Sequence, residues 1–223
     1  MALLVSSRVP CLVCGGFTHA RFALCFCCDT TVHQLQMPLA PVVAITEYRT
    51  GDGLHRRLRG YKDAPVAEAR QAYAAELAGR VRSWLAADPS HLTDRFGSRW
   101  DVVATVPSTT RPGVAPTEVL VNQVPDLARG HRRLLVRGPE PTDHLLAARR
   151  GFEVPLGVDR SWLRTRRVLV FDDSITTGSR AQSAVAALRM AGAQVVGVLA
   201  VGRALGGAPT DRPSPVASPA VLG

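Results

Sequence analysis

The sequence predicts an α/β protein in which an open parallel sheet is flanked by helices and preceded by a small cysteine-rich segment. The first observation is an alternation of short apolar runs with longer segments of helical periodicity. Strands that are apolar on both faces are typical of a parallel sheet covered by helices on each side. The second observation is that all five cysteines fall within the first 28 residues, and four of them form two C-x2-C pairs.

The length and composition suit one domain with a short appendage. A chain of 223 residues, of which 46% are hydrophobic, has enough material for a single core. No run of about 18 apolar residues offers a membrane span. The N-terminal stretch MALLVSSRVP is too short in its apolar part for a secretory signal. We therefore expect a cytoplasmic protein without a membrane partner.

The charge is strongly positive, with 27 Lys and Arg against 18 Asp and Glu and a net charge of +9. Lys62 is the only lysine, so nearly all of the positive charge is arginine. A basic surface favours anionic partners such as phosphorylated metabolites or nucleic acid. The charge alone does not decide between these two classes of partner.

The cysteine pairs predict a structural zinc site in residues 1–38. Two C-x2-C pairs separated by ten residues can supply four thiolates to one tetrahedral ion. The predicted ligands are Cys11, Cys14, Cys25 and Cys28. Free or redox-active thiols are the alternative, and Cys27 has no assigned role. A site with four protein ligands has no open position, so we expect it to stabilise the fold and not to catalyse.

The elements of the α/β domain, residues 39–203, follow from the apolar pattern. In the first half we predict a strand at 40–48, a turn at 50–53, helices at 54–63 and 65–87, and a strand at 101–107. In the second half we predict a helix at 116–129, a strand at 132–138, one or two helical turns at 143–150, and an extended edge segment at 152–156. A strand at 167–173, a helix at 178–191 and a strand at 193–202 complete the domain, and residues 204–223 read as a disordered tail rich in Pro, Gly and Ala.

The stretch VLVFDDSITTGS places two carboxylates and a hydroxyl-rich loop where a buried strand ends. In an open parallel sheet, ligands bind beyond the carboxyl ends of the strands. The loop opens a helix, and a helix N-terminus with nearby hydroxyls suits a phosphate group. Asp172 and Asp173 repel phosphate, so we expect them to accept hydrogen bonds from a sugar diol. The predicted phosphate ligands are Thr176, Thr177, Gly178 and Ser179. Together these groups describe a site for a ribose 5-phosphate.

Other interpretations of this stretch are weaker. An acidic residue before a helix also serves as a plain N-terminal cap. A Walker phosphate loop is excluded because no Gly-Lys-Ser/Thr follows, and no G-x-G-x-x-G fingerprint is present. A phosphoacceptor receiver domain has its acidic pair after the first strand, whereas this pair precedes the last helix.

The stretch VLVFDDSITTGS resembles the 5-phosphoribosyl-1-pyrophosphate (PRPP) binding motif of type I phosphoribosyltransferases. The N-terminal finger, the region of Lys62 and the chain length resemble the ComF/GntX-like branch of that family. The resemblance implies that Asp172 and Asp173 are catalytic residues that bind the ribose 2′- and 3′-hydroxyls. It implies that residues 176–179 hold the 5-phosphate and that Mg²⁺ accompanies PRPP. The implied pyrophosphate ligands are Ser108, Thr109, Arg111 and Lys62, with Arg149 or Arg150 as further candidates.

The sequence departs from the family pattern at three places. Ser174 stands where an aliphatic residue is usual, and Arg180 stands where the family commonly has a threonine or serine that contacts phosphate. RPGVAP at 111–116 replaces a more polar stretch. None of these changes removes the acid pair or Gly178, so the implied PRPP site is retained.

Two functions from different classes follow. The first is a phosphoribosyltransferase that transfers phosphoribosyl to an unidentified nitrogen acceptor and releases pyrophosphate. The alternative is a non-catalytic accessory protein for DNA uptake and recombination, as the ComF-like branch implies, with single-stranded DNA as its partner. Against the alternative, no aromatic residues interleave with the basic ones to form a stacking surface. Other α/β phosphate binders remain a third class.

Overall fold

The structure is a computed structural model, and it describes residues 8–108 and 115–205. The strands are β1 (Arg8–Pro10), β2 (Phe17–His19), β3 (Val42–Arg49), β4 (Val102–Thr105), β5 (Val136–Arg137), β6 (Phe152–Glu153), β7 (Arg167–Ile175) and β8 (Gln194–Leu205). The helices are α1 (Phe26–Leu35), α2 (Gly53–Asp63), α3 (Ala67–Ala87), α4 (His91–Phe96), α5 (Pro116–Asn122), α6 (Pro125–Ala128), α7 (Arg160–Arg164) and α8 (Ser179–Met190).

The centre of the molecule is a four-stranded sheet in the order β3-β8-β7-β4. All three strand pairs are parallel, as the apolar runs predicted. The connections between parallel neighbours pass through helices, because a parallel pair cannot be joined by a tight hairpin. The predicted class, an open parallel α/β sheet with flanking helices, is therefore confirmed.

Each face of the sheet carries its own apolar cluster, and β7 contributes to both. Val168 and Val170 pack into one cluster together with α8, while Leu169 and Phe171 pack into the other together with α2 and α3. This alternation explains why the strand reads as continuously apolar, since neither of its faces meets water. The two layers of helices leave the carboxyl ends of the strands as the edge at which polar side chains collect.

The helix predicted at 116–129 is two shorter helices, α5 and α6. Val124 between them has an extended backbone, with φ −112° and ψ 99°, and Pro125 begins α6. Proline lacks an amide hydrogen and disfavours helical geometry in the residue before it, so the periodic pattern is broken there. The helices α1, α4 and α7 were not predicted.

Two predictions for the segment between α6 and β7 were wrong in extent. The strand predicted at 132–138 is reduced to β5, preceded by one parallel bridge between His131 and Val103. No helix forms at 143–150, because the Asp143 carboxylate accepts hydrogen bonds from the amides of Leu145 and Leu146 and closes a turn. The extended segment predicted at 152–156 is β6, which pairs with β5 in an antiparallel ladder.

The N-terminal segment is a β1–β2 hairpin followed by α1, and α1 packs against α8. The division into residues 1–38, 39–203 and 204–223 stays a prediction, and residues 206–223 lie outside the described residues. In the part of the chain that the structure describes, none of the helices has the length and apolar character needed to cross a membrane.

Candidate functional site

Two neighbouring carboxylates lie at the carboxyl end of β7, a central strand of the sheet. Asp172 and Asp173 are buried, and each residue is 3% exposed. The strand continues to Ile175, two residues beyond its predicted end. The amide of Val106, the first residue after β4, donates to the Phe171 carbonyl at 3.0 Å, so the ends of β4 and β7 lie side by side. The acid pair therefore lies at the sheet edge where open α/β proteins bind ligands.

Lys62, one residue before the end of α2, pairs with the second carboxylate. Its Nζ lies 2.6 Å from Asp173 Oδ2, and the two side chains are 23% and 5% exposed. This oxygen accepts no hydrogen bond of good geometry from the described residues, so the ammonium balances it through charge. Asp172 Oδ1 accepts the backbone amide of Asp173 at 2.9 Å. Removing Lys62 would leave a buried charge uncompensated.

Burial raises the pKa of both carboxyl groups, and nearby cations oppose this effect. Burial raises the pKa of Asp173 to about 7, against the positive charge of Arg180. Burial also raises the pKa of Asp172, against the charges of Arg180 and Lys62. The contact between Lys62 and Asp173 also opposes the effect of burial, because an opposite charge favours the ionised carboxylate. Lys62 and Arg180 together therefore favour carboxylates that can accept hydrogen bonds from hydroxyl groups.

The predicted phosphate loop turns sharply at Gly178. This residue has φ 88°, in the left-handed region that favours glycine, and it is the N-terminal cap residue of α8. A Cβ placed on Gly178 would meet no atom within 4 Å, so the space beside the loop is open. A helix start with open space beside it, next to a strand end, is suited to an anionic ligand.

The hydroxyl groups of the loop bond within the protein. Thr177 Oγ1 donates to the carbonyl of His144, lies 2.9 Å from Ser179 Oγ and accepts the Ser179 amide at 3.2 Å. Ser179 is only 2% exposed, and its Oγ lies 3.4 Å from Thr31 Oγ1. Thr176 is half-buried. The roles of Thr176, Thr177, Gly178 and Ser179 as phosphate ligands stay a prediction. In this prediction, Thr177 and Ser179 give up their hydrogen bonds within the protein and bond to the ligand instead.

The helix α1 lies beneath this loop, a contact that the sequence analysis missed. Thr31 on α1 is 1% exposed and donates to the Cys27 carbonyl at 2.8 Å. The Gln34 side chain accepts the Ala147 amide at 2.8 Å and donates to the Leu145 carbonyl at 3.3 Å. One helix thus joins the cysteine-rich segment, the 144–147 turn and the loop at 176–179.

Arg149 also attaches to this helix, although it was a candidate for pyrophosphate. Its guanidinium donates to the carbonyl of Leu35 and, at 2.7 Å, to that of Gln36. Arg150, the other candidate, pairs with Glu153 at 3.1 Å. Both arginines therefore already have protein partners outside the acid pair.

The predicted pyrophosphate ligands are described only in part. Ser108 lies two residues beyond Val106, whereas Thr109 and Arg111 lie outside the described residues. Arg180 Nη2 donates to the Pro107 carbonyl at 3.0 Å, so α8 is joined to the segment that precedes them. The sequence analysis noted Arg180 only as a departure from the family pattern.

The other departure, Ser174, has a structural explanation. Ser174 Oγ lies 2.5 Å from the hydroxyl of Tyr48, which is 7% exposed and lies near the end of β3. Burial raises the pKa of Tyr48, and the charges of Asp173 and Asp172 raise it further. A polar residue at position 174 therefore satisfies a buried phenol beside the acid pair, which an aliphatic residue would leave without this partner.

The four predicted metal ligands come together in the N-terminal segment. The sulfur atoms of Cys11, Cys14, Cys25 and Cys28 all lie within 4.8 Å of one another. The separation of Cys14 Sγ and Cys25 Sγ is 3.7 Å. Four sulfurs at about 2.3 Å from a central zinc ion lie about 3.8 Å apart, so the arrangement fits a tetrahedral thiolate site. Hydrogen bonds that the Cys28 thiol donates to the other three sulfurs, together with burial, raise the pKa of Cys28, and a bound cation would reverse this effect.

A surface depression of about 590 Å³ is not lined by the acid pair. It is lined by seven residues, which include Arg57, Glu76 and Trp84, and it contains none of the predicted site residues. Arg57 and Glu76 pair with each other across it. The depression is therefore a weaker candidate for the functional site than the end of β7, where the convergent charged groups lie.

Comparisons with known proteins add little to this geometry. No protein-family model and no curated protein matches the sequence. One similar solved structure is described as the allosteric regulatory enzyme of purine biosynthesis, with 20% sequence identity and a TM-score of 0.34. The similarity covers 57% of this chain and 25% of that enzyme's chain. A similarity of this degree carries no functional argument.

Proposed function

We propose that this chain is a type I phosphoribosyltransferase-like protein that binds PRPP with Mg²⁺ and transfers phosphoribosyl to a nitrogen acceptor. The observation that carries the proposal is the buried acid pair at the end of β7, followed directly by the open helix start at Gly178. A diol receptor and an anion receptor lie next to each other along the chain. This order matches the ribose and 5-phosphate of one ligand.

Each part of the ligand has its own group of residues in this proposal. Asp172 and Asp173 accept hydrogen bonds from the 2′- and 3′-hydroxyls, and residues 176–179 bind the 5-phosphate. The diphosphate on the anomeric carbon lies toward Ser108 and the residues that follow it. Lys62 favours the ionised form of Asp173 through the 2.6 Å contact.

The proposed reaction exchanges one bond at the anomeric carbon. The bond from this carbon to the diphosphate oxygen breaks, and the electron pair leaves with pyrophosphate. A bond to the acceptor nitrogen forms, and the acceptor loses a proton to solvent. Asp172 and Asp173 fix the ribose and stabilise the positive charge that develops on its ring. Mg²⁺ enters as part of the PRPP complex and supports the charge of the leaving group.

We propose that the four-cysteine cluster binds zinc and has a structural role. The sulfur spacing supports a closed tetrahedral site, which leaves no position for a substrate. Because α1 contains Cys28 and also lies beneath Ser179, the metal contributes to the site indirectly. In this proposal residues 1–38 are a zinc finger that supports the α/β domain, and the protein acts in the cytoplasm.

Calorimetric titration with PRPP and Mg²⁺ tests the proposal. Wild-type protein is expected to bind, and the Asp172→Asn/Asp173→Asn double variant is expected to bind at least about 100-fold more weakly. Each lost hydrogen bond to a charged group contributes about 1.5–3 kcal/mol. The matched control is Asp126→Asn, which removes an exposed carboxylate paired with Arg129. Undiminished affinity in the double variant would refute the role of the acid pair.

The acceptor is found by a second measurement. Purified protein with PRPP and Mg²⁺ is incubated with a panel of nucleobases and amines, and release of pyrophosphate is followed. Release that depends on one acceptor and is absent in the double variant identifies the reaction. If PRPP binds but no acceptor leads to release of pyrophosphate, the protein binds PRPP without transferring phosphoribosyl to any compound of the panel.

A second candidate, binding of single-stranded DNA, is favoured by the net charge of +9. Arg59 on α2 contributes to this charge, and its side chain is 70% exposed. The test is fluorescence anisotropy with a labelled oligonucleotide at several salt concentrations. A steep loss of affinity with salt supports binding through phosphate contacts. An absence of binding at low salt excludes this function and leaves the PRPP proposal unaffected.

A further inference from the structure

Arg180 connects the two strand ends that frame the proposed site. It is the second residue of α8, directly after Ser179. Its Nη2 donates to the carbonyl of Pro107 at 3.0 Å, in the segment that follows β4. Its charge also reaches β7, where it opposes the effect of burial on the pKa of both Asp172 and Asp173. The guanidinium therefore lies between the acid pair and the segment at the end of β4.

One donor of this guanidinium has no partner within residues 8–108 and 115–205. Arg180 Nε is buried and forms no hydrogen bond with any of the described residues. A buried donor without an acceptor is unfavourable, and more so when it belongs to a charged group. Guanidinium groups bind phosphate oxygens with strong, charge-assisted hydrogen bonds. An anionic oxygen of the ligand would satisfy this donor.

The contacts of Arg180 differ from those of the phosphate loop that precedes it. Thr177 bonds to His144, and Ser179 lies against Thr31. Arg180 instead bonds to Pro107 at the end of β4. The anomeric carbon and the 5-phosphate lie at opposite ends of the ribose. With the diol at the acid pair and the 5-phosphate at the loop, the group on the anomeric carbon is directed away from the loop.

We propose that Arg180 binds the diphosphate group of the ligand and makes the site selective for a pyrophosphorylated ribose. This inference rests on the proposed function and names the group that recognises its leaving group. A guanidinium is positively charged at all relevant pH values, so it compensates the charge that accumulates on pyrophosphate as the bond to the anomeric carbon breaks. A threonine or serine at this position offers a hydroxyl but no charge.

The test compares three probes: PRPP, pyrophosphate and ribose 5-phosphate, each titrated with Mg²⁺ into wild-type protein and into Arg180→Thr. The variant is expected to bind PRPP and pyrophosphate at least tenfold more weakly and to lose far less affinity for ribose 5-phosphate, which Arg180 affects only through the ionisation of the acid pair. The control is Arg129→Thr, which removes an exposed arginine of the same charge and is expected to leave all three affinities unchanged.

Each other outcome overturns the inference in a recognisable way. If the variant binds all three probes equally more weakly, Arg180 contacts the 5-phosphate or stabilises the fold. If the affinities for all three probes are unchanged, Arg180 does not contribute to the site. If wild-type protein does not bind PRPP, the proposed function fails as well, whereas PRPP binding that Arg180→Thr does not change refutes only the role of Arg180. If Arg180→Thr does not fold, Arg180→Lys is the second variant. It keeps the charge, but it has one nitrogen for the two acceptors, which are the Pro107 carbonyl and the oxygen of the ligand. It is then expected to lose affinity for pyrophosphate and not for ribose 5-phosphate.

Discussion

The four-cysteine cluster and the acid pair both crowd like groups into a small volume, but the chain assembles them differently. The cysteines come from two short turns within residues 11–28, so their proximity follows from local spacing. The acid pair draws its partners from distant parts of the chain. The contact between Tyr48 and Ser174 alone spans 126 positions. A site built from one segment can be recognised from spacing, whereas a site built from several elements shows only one of its parts in the sequence.

The two regions also differ in how their negative charge is balanced. Arg203 donates to the Cys14 carbonyl beside the cysteine cluster, but one guanidinium cannot balance four thiolates, so these require an external cation. The acid pair has the charges of Lys62 and Arg180 beside it. We therefore expect the N-terminal segment to depend on its metal, and the end of β7 to keep its structure without a ligand.

The largest expected effect comes from removing one of the four proposed metal ligands. Cys28→Ser leaves three thiolates, and apparent zinc-binding energies in such sites are about 10–16 kcal/mol, all of which contribute to local folding. The variant is expected to lose its bound metal and the protection of amides in residues 8–38. Elemental analysis and hydrogen exchange measure the two losses.

The matched control for this variant is Cys27→Ser. Cys27 is buried next to the cluster but is not one of the four sulfurs that share it. We expect full metal content and normal amide protection in this control. Equal loss of metal in both variants would contradict the assignment of the four ligands.

A smaller effect is expected at the acid pair, and it depends on pH. The pKa of Asp173 is raised to about 7 in the folded protein, compared with about 3.9 in an unfolded chain. The protonated carboxyl group therefore contributes stability that is fully present below about pH 4 and is lost as the pH rises through about 7. Asp173→Asn lacks this titration. Its free energy of unfolding is expected to improve relative to wild type between pH 4 and pH 8 by up to about 4 kcal/mol, less what the contact with Lys62 offsets.

Chemical denaturation at a series of pH values measures this difference. Asp126→Asn is the control, because it makes the same change at an exposed carboxylate outside the acid pair. A constant difference between Asp173→Asn and wild type at every pH would mean that Lys62 cancels the effect of burial completely.

The comparison also explains which parts of the fold could be predicted from sequence. The apolar runs that become β3, β7 and β8 were predicted because a strand buried on both faces leaves a continuous signal. The segment 143–150 was predicted as helical because its leucines and alanines favour a helix. The carboxylate of Asp143, which binds two amides, decides otherwise. A single side chain that competes for backbone donors leaves little trace in a pattern of hydrophobicity.

The site could be predicted only as far as it lies along one segment. Asp172, Asp173 and Gly178 are neighbours in sequence, so their placement on one strand end and one helix start could be expected. The partner of Ser174 could not be expected, because it comes from β3. Neither could the contact of Ser179 with Thr31, since α1 was not predicted as a helix. These contacts depend on how elements pack, which a single sequence does not specify.

Thr31 joins the two regions, and its removal tests whether they are coupled. Thr31→Val keeps the shape of the side chain but loses the hydroxyl that bonds to Cys27 and lies near Ser179. We expect a loss of about 1–2 kcal/mol in the free energy of unfolding, as for other buried hydrogen bonds, together with a few-fold weaker binding of PRPP. The control is Thr30→Val on the same helix, where the residue is half-buried. Coupling further requires that the effect of Thr31→Val on PRPP binding disappears once a chelator has removed the metal.

The smallest expected effect concerns the contact between Tyr48 and Ser174. Tyr48→Phe removes one hydroxyl and leaves Ser174 Oγ without this partner, so we expect a loss of about 1 kcal/mol or less in the free energy of unfolding. Ser174→Ala removes the other hydroxyl. If the two form one unit, the double variant costs less than the sum of the single variants, as measured by urea denaturation. Additive costs would mean that Ser174 does not compensate Tyr48, and that its departure from the family pattern needs another cause.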